Sequence, residues 1–217
     1  MAHDFSLETE RLRLRPFAPG DFEALLAMQS RPDVARWLYG EARDADAVRA
    51  ALEAKLGRAA ISADGEGLSF AVVLERTGEL IGDCSVFTLS GQHRQGEIGF
   101  IFHPDHHGHG YAAEAARALL AFAFGECRFH RVIGRLEARN SASARVLERI
   151  GMRQEAHFAE KRVGQGRMAE RACLRDPRAR VERADGDVTC TRRDLTAGRR
   201  ASHFSRARSR RSGRGRR

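Results

Sequence analysis

The chain has 217 residues, enough for one domain with its own core, and 42% of them are hydrophobic. No apolar run approaches the ~20 residues that span a bilayer, and the segment MAHDFSLETE lacks the basic stretch and apolar block of a signal peptide. Four scattered cysteines without a CxxC pair indicate reduced thiols, so we expect a cytoplasmic protein without a membrane segment.

The predicted elements indicate a mixed α/β sheet in one domain. Leu12 and Leu14 alternate with charged residues in the first strand, and the longest helix is rich in alanine and is followed by Gly125. In chain order we predict a strand at 10–17, helices at 22–29 and 44–58, strands at 68–74, 80–89 and 97–103, a helix at 111–124, a strand at 130–138, a helix at 140–150 and a strand at 152–160.

A glycine-rich loop precedes the longest helix. Gly108 and Gly110 permit positive φ and a close approach of ligand to main chain, and the first N–H groups of the helix point outward. Such a loop can bind a phosphate, although a plain tight turn would use the same glycines. The candidate binding residues are His107, Gly108, His109, Gly110, Tyr111 and Ala112.

Five motifs surround this loop in a fixed order. They are Glu8-Thr-Glu-Arg-Leu-Arg-Leu-Arg-Pro16, Glu97-Ile-Gly-Phe100, Gly108-His-Gly-Tyr-Ala-Ala-Glu-Ala115, His130-Arg-Val132 and Asn140-Ser-Ala-Ser-Ala-Arg-Val-Leu-Glu-Arg-Ile-Gly-Met152. Together they resemble the GNAT superfamily of N-acetyltransferases, and most nearly the branch that contains the ribosomal-protein N-terminal acetyltransferases. The resemblance covers about residues 7–160. The family's loop usually begins with Arg or Gln, where this chain has His107.

The resemblance implies a single GNAT-like domain at 7–160, with a mixed, mostly antiparallel sheet flanked by helices. It implies acetyl-coenzyme A as co-substrate, with its pyrophosphate on the amides of 108–112. In relatives an asparagine at the position of Asn140 contacts the pantetheine arm. The resemblance also implies that a main-chain amide among Phe100, Ile101 and Phe102 stabilises the oxyanion, a donor that in relatives often lies beside a β-bulge.

Acetyl transfer to an amine needs a base for the ammonium proton and an acid for the departing thiolate. Glu97 stands where a glutamate is the general base in some relatives, and Ser143 where a serine is placed to protonate the coenzyme A sulfur. Each residue also has a simpler interpretation. Glu97 could be a solvated or ion-paired strand residue, and Asn140 with Ser143 could form only a helix cap.

The acceptor is expected to be a primary amine on a protein N-terminus, an antibiotic or a metabolite. The branch resemblance favours a peptide or ribosomal-protein N-terminus. The segment 103–109 holds four histidines and Asp105, but these crowd one loop without a remote ligand at recognisable spacing. We therefore predict no metal site.

The charge divides the chain at about residue 160. Residues 1–160 contain 19 basic and 23 acidic side chains, a net charge of −4, whereas 161–217 contain 19 and 6, a net charge of +13. The composition of 161–217 predicts a disordered, arginine-rich tail that leaves the family's last hairpin incomplete. Nucleic-acid binding through this tail is an alternative function, but Phe204 is its only aromatic residue for stacking on bases.

A shift of reading frame near residue 161 is a further hypothesis for the tail. Met168 followed by Ala169 forces a tryptophan codon one base downstream. With permitted codons the shifted frame can spell Asn-Val-Trp-Val-Lys-Gly-Glu-Trp, which is similar to the family's hairpin. Arg162 stands where some relatives carry their base on that hairpin, so a truncated, inactive relative is a third alternative.

Overall fold

Nine strands and five helices form the part of the chain described by the computed structural model, which is 5–38, 41–57, 61, 63–158 and the backbone of 168–174 and 189–192. The strands are β1 (Phe5–Glu8), β2 (Leu12–Pro16), β3 (Gly67–Leu74), β4 (Leu80–Ser90), β5 (Gln95–Phe102), β6 (Arg131–Glu137), β7 (Arg153–Phe158), β8 (Met168–Leu174) and β9 (Thr189–Arg192). The helices are α1 (Phe22–Gln29), α2 (Pro32–Ala35), α3 (Ala45–Leu56), α4 (Tyr111–Gly125) and α5 (Ser141–Arg149).

The described strands form one sheet in the order β7-β8-β6-β5-β4-β3-β2-β1-β9. All neighbours are antiparallel except β5 and β6, which run parallel and pair only from Gln95↔Arg131 to Glu97↔Ile133. Beyond these pairs β6 continues against β8, while the rest of β5 pairs with β4. The two parallel strands therefore diverge and open the sheet at its centre.

Helices cover both faces of the sheet and create two cores. On one face α4 buries Leu119 and Phe122, and the Phe122 ring meets the Phe70 ring edge to face at 5.7 Å. On the other face α1 and α3 bury Leu25 and Leu52. Because both faces are covered, every residue of β3 is buried, and its sequence GLSFAVVL is apolar almost throughout rather than alternating.

These features confirm the predicted fold class of a mixed, mostly antiparallel sheet flanked by helices. The predicted strands and helices within 10–158 are present, with ends shifted by a few residues. Strand β1 and helix α2 were not predicted from the sequence, because four-residue elements carry too little periodicity to be recognised. Within the described part of the chain, none of the helices is long and apolar enough to cross a lipid bilayer.

Two strands lie in the region predicted to be disordered. The backbone of β8 is inserted between β6 and β7, and β9 pairs with β1. Residues 168–174 and 189–192 are thus paired in the sheet within a region whose composition predicts disorder. Strand β8 forms main-chain hydrogen bonds with β6 on one side and β7 on the other. Composition does not reveal such pairing, because the partner strands lie elsewhere in the sequence. The rest of the predicted tail lies outside the described residues.

Candidate active site

A cleft of about 840 Å³ occupies the opening between β5 and β6. One wall is the open edge of β5, a second is the N-terminal end of α4 with its preceding loop, and a third is the start of α5. The predicted site residues that line this cleft are Phe100, Ile101, Phe102, His107, Gly108, Gly110, Tyr111, Ala112, Asn140 and Ser143. Segments that are separated by up to 43 positions in sequence thus meet at one site.

The loop before α4 presents main-chain donors to the cleft. Gly108 and Gly110 both have φ of +83°, the left-handed conformation that favours glycine. Gly110 is the N-cap of α4, and its carbonyl accepts the first helical hydrogen bonds from Ala113 and Glu114. No residue in the described part of the chain accepts a hydrogen bond from the N–H groups of 108–112. These N–H groups are therefore available to an anion at a helix N-terminus, as the sequence predicts.

A network of side chains from the turn between β1 and β2 fixes this loop. Arg11 donates through Nε to Oε2 of Glu114 at 2.7 Å and through Nη1 to the carbonyl of His109 at 3.1 Å. Thr9 donates to Oε1 of Glu114 at 2.6 Å. Burial raises the pKa of Glu114, but the hydrogen bonds from Thr9 and Arg11 outweigh it and hold the pKa below its usual range. A charged Glu114 thus anchors the first turn of α4.

The two loop histidines have different positions. His107 lines the cleft, and its Nε2 lies 3.1 Å from the carbonyl oxygen of Phe102, which ties the loop to the end of β5. His109 does not line the cleft, and its ring stacks on Tyr111 with centroids 5.6 Å apart. Its main-chain N–H is therefore the part of His109 that remains a candidate for ligand contact.

The open edge of β5 directs main-chain groups into the cleft. His103 donates its N–H to Ile81 of the neighbouring chain segment at 2.9 Å. In an antiparallel pair, alternate residues direct their N–H and C=O groups to the same neighbour. The groups of Phe100 and Phe102 therefore point away from β4 and toward the opening. The predicted β-bulge is not at this point, because the register of β4 and β5 shifts between Thr88 and Ser90.

The start of α5 forms the cap that the sequence allows. The side chain of Asn140 accepts a hydrogen bond from the main-chain N–H of Ser143 at 3.0 Å. The capping interpretation of Asn140 is thus confirmed for its Oδ1 atom. Both side chains still line the cleft, so the amide nitrogen of Asn140 and the hydroxyl of Ser143 remain candidates for contact with a ligand.

Glu97 lies on the face of β5 that packs against α1 and α3, as does Ile101 four residues later. Its Oε2 accepts a hydrogen bond from Nη1 of Arg135 at 2.5 Å. Arg135 lines the cleft, whereas Glu97 lies just behind it. The ion-paired interpretation is therefore correct for Glu97. Its predicted role as a base stays a prediction, and the proton would have to travel through a water.

A polar network on the same face was not predicted from the sequence. Lys55 of α3 lies 2.7 Å from Oδ2 of Asp83, with side chains only 11% and 5% exposed. Asp83 also accepts from Gln29 at 3.4 Å, and Arg43 donates to Oε1 of Gln29 at 2.8 Å. All four side chains line the cleft. An acid in the middle of the apolar strand LIGDCSVF was the signal that could have identified them.

The histidine-rich segment makes separate contacts with acids. His106 lies 3.2 Å from Oε1 of Glu79, and His103 lies 3.7 Å from Oδ2 of Asp105. Among the residues that the structure describes, no three His, Cys, Asp or Glu side chains are arranged to hold a metal ion. These imidazoles instead hold the short 3₁₀ turn at Pro104–His106 next to the loop.

Known proteins share this sequence and architecture. The model of the acetyltransferase (GNAT) domain matches residues 11–153. The uncharacterized N-acetyltransferase YnaD of Bacillus subtilis is 32% identical over 152 residues, which is 70% of this chain and 85% of YnaD. YdaF of the same organism, provisionally named a ribosomal N-acetyltransferase, is 29% identical over 67% of this chain and 80% of its own length.

Solved structures agree with the family match. A GNAT-family acetyltransferase from Bacillus anthracis superposes with a TM-score of 0.70 and 31% identity, covering 78% of this chain and 98% of that one. Spermidine N-acetyltransferase from Vibrio cholerae, solved with CoA and spermine, has a TM-score of 0.64 at 20% identity over 75% of this chain and 95% of its own, and shows the fold alone. The chain belongs to the GNAT family, and it is an acetyltransferase enzyme.

Proposed function

We propose that the enzyme transfers the acetyl group of acetyl-coenzyme A to a primary amine. The observation that carries this proposal is the row of main-chain N–H groups at 108–112, which faces a cleft where β5 and β6 diverge. Unpaired amides and the positive end of the α4 dipole suit the pyrophosphate of coenzyme A. The opening beside them gives an extended thioester a path through the sheet.

The same geometry suggests where the rest of the donor lies. The pantetheine arm would run along the open edge of β5, where it could exchange main-chain hydrogen bonds with Phe100 and Phe102. The amide nitrogen of Asn140 and the hydroxyl of Ser143 face this path from α5. The N–H of Phe100 points into the opening, so it is our candidate donor to the oxyanion of the transition state.

The amine would approach the thioester from the face that carries α1 and α3. Gly99 provides an opening in that face, because a Cβ at this position would meet the Ser85 hydroxyl at 3.4 Å and little else. The amine nitrogen attacks the carbonyl carbon, the carbon–sulfur bond breaks, and the ammonium proton passes through water to Glu97. Ser143 then gives its hydroxyl proton to the departing thiolate and regains one from solvent.

The acceptor is proposed to be a protein or peptide N-terminus. The relative YdaF, with its provisional name as a ribosomal N-acetyltransferase, supports this choice. An α-amine has an ordinary pKa of about 8, so a sizeable neutral fraction is present near neutral pH and only modest help from a base is required. The lysine side chain, with an ordinary pKa of about 10.4, would be a poorer acceptor for this site.

The phosphate loop is tested by the substitution Gly108→Ala. A Cβ there meets nothing within 4 Å in the protein. The substitution should therefore lower the free energy of unfolding by only about 1 kcal/mol, the cost of placing alanine at positive φ. The methyl group would stand where the pyrophosphate approaches the main chain. We expect the Kd for acetyl-coenzyme A, measured by calorimetry, to rise by about tenfold or more.

Gly78→Ala is the matched control for this substitution. Gly78 has φ of +74° and equally open surroundings, but it lies in the turn between β3 and β4 and does not line the cleft. The two variants should lose similar stability, while Gly78→Ala keeps the affinity of the unaltered enzyme. Equal affinities for acetyl-coenzyme A in the two variants would show that the loop does not bind it.

The gene sequence tests the reading-frame hypothesis, which we retain as a proposal for the segment after Glu160. The codon of Met168 has one form and alanine codons begin with G, so the shifted frame must read tryptophan there. Further on, the codons of 171–177 permit Glu-Leu-Ala-Tyr-Ala-Ile-Leu, an apolar run of the length of a strand. We expect the nucleotide sequence to spell both segments in the shifted frame. A stop codon within either segment would refute the hypothesis.

A further inference from the structure

Four polar side chains form a connected chain along the face of the cleft that the acceptor would enter. Arg43 is held to Gln29 twice, by its main-chain N–H to the Gln29 carbonyl at 3.1 Å and by Nη1 to Oε1 at 2.8 Å. The Gln29 amide continues to Asp83, which pairs with Lys55. Gln29 is only 2% exposed and Asp83 4%, so buried and hydrogen-bonded groups fix the position of the guanidinium.

The charges of these four side chains do not cancel. Lys55 places Nζ within 2.9 Å of both carboxylate oxygens of Asp83, so those two charges neutralise each other. The other acid at this end, Asp33, is engaged by Arg31 through two hydrogen bonds of 3.0 Å. No acidic side chain among the described residues pairs with Arg43. Its positive charge is left facing the acceptor end of the cleft.

We propose that Arg43 binds a carboxylate of the acceptor, so that the substrate is an amine that also carries an acidic group, such as a peptide with an acidic side chain near its N-terminus. This inference rests on the proposed function, because it names the acceptor of the same site. Gln29 occupies Nη1, which leaves Nη2 and Nε to donate in parallel to two carboxylate oxygens. The same uncompensated charge repels a polyamine.

The test measures binding of two peptides to the enzyme loaded with coenzyme A. Ser-Glu-Ala-amide and Ser-Gln-Ala-amide have the same amine and nearly the same shape, and they differ only in the acidic group. We expect calorimetry to give a Kd about tenfold lower for the glutamate peptide, and a ratio that falls with added salt. Arg43→Gln should bring the ratio close to one. Arg43→Lys should retain part of it, because the charge remains.

Arg76→Gln is the matched control. Arg76 is an exposed arginine in the turn between β3 and β4 that does not line the cleft, so its loss changes net charge equally and should preserve the ratio. Coenzyme A affinity in each variant confirms that the cleft is folded. Three results would overturn the proposal. They are equal binding of both peptides by the unaltered enzyme, an unchanged ratio in Arg43→Gln, and tighter binding of spermidine than of the glutamate peptide.

Thiol release from acetyl-coenzyme A separates this inference from the proposed function. Selective binding of the glutamate peptide together with its acetylation supports both. Selective binding without any acetylation supports the assignment of Arg43 and contradicts transfer to such an amine. Acetylation of both peptides at equal kcat/KM and with equal affinity supports the proposed function and overturns the assignment of Arg43.

Discussion

Replacing Lys55 with methionine is expected to lower the free energy of unfolding by about 3–5 kcal/mol, as measured by urea denaturation. The ammonium group neutralises Asp83, whose side chain is 5% exposed. Without it, the buried carboxylate keeps only the long hydrogen bond of 3.4 Å from Gln29 within the described network.

Two further variants test whether burial causes this effect. Arg31→Met breaks a pair with Asp33 whose side chains are 37% and 44% exposed, and it should lower the free energy of unfolding far less than Lys55→Met does, because solvent screens this pair. Combining Lys55→Met with Asp83→Leu removes both buried charges and should recover much of the stability. Similar losses for Lys55→Met and Arg31→Met would show that the position of Asp83 admits enough water to solvate it.

The parts of the site that sequence predicted are those encoded within short segments. Gly108 and Gly110 before an alanine-rich stretch already specify positive φ, a helix start and outward N–H groups. Asn140 three residues before Ser143 specifies a helix cap, and the structure contains that cap. In each case the interacting groups are at most a few residues apart, so local geometry determines them.

The parts that sequence did not predict depend on contacts between distant segments. Arg11 and Glu114 are 103 residues apart, and no pattern in either segment predicts that the two side chains interact. Lys55 lies 28 residues before Asp83, and only the packing of α3 on the sheet brings them together. The polar network at Lys55 and Asp83 depends on such contacts, whereas the glycine turn before α4 and the cap at Asn140 are local.

The ion pair of Glu97 bears on its predicted role as the general base. The sequence placed Glu97 on a strand, and it lies on β5. Its ion pair with Arg135 comes from a strand 38 residues later and places the carboxylate behind the cleft wall. The ion pair orients the carboxylate, and its predicted role as a base is tested by removing the charge while keeping this hydrogen bond.

Glu97→Gln is therefore expected to lower kcat by about 100-fold while leaving the affinity for acetyl-coenzyme A unchanged. The amide can still accept a hydrogen bond from Arg135 at the same place, so the geometry of the wall is preserved. It cannot take the ammonium proton, so the acidic limb of the pH–rate profile should flatten. Stopped-flow or thiol-release assays across pH, with calorimetry for the cofactor, measure both quantities.

Glu155→Gln is the matched control for this substitution. Glu155 on β7 is 24% exposed against 23% for Glu97, and it pairs with Arg131 at 2.5 Å. Hydrogen bonds from Arg131 and Arg153 hold the pKa of Glu155 below its usual range, yet its side chain does not line the cleft. If both variants retain the same rate and pH profile as the unaltered enzyme, the ion pair of Glu97 is structural, and proton removal falls to solvent or to a group on the acceptor side.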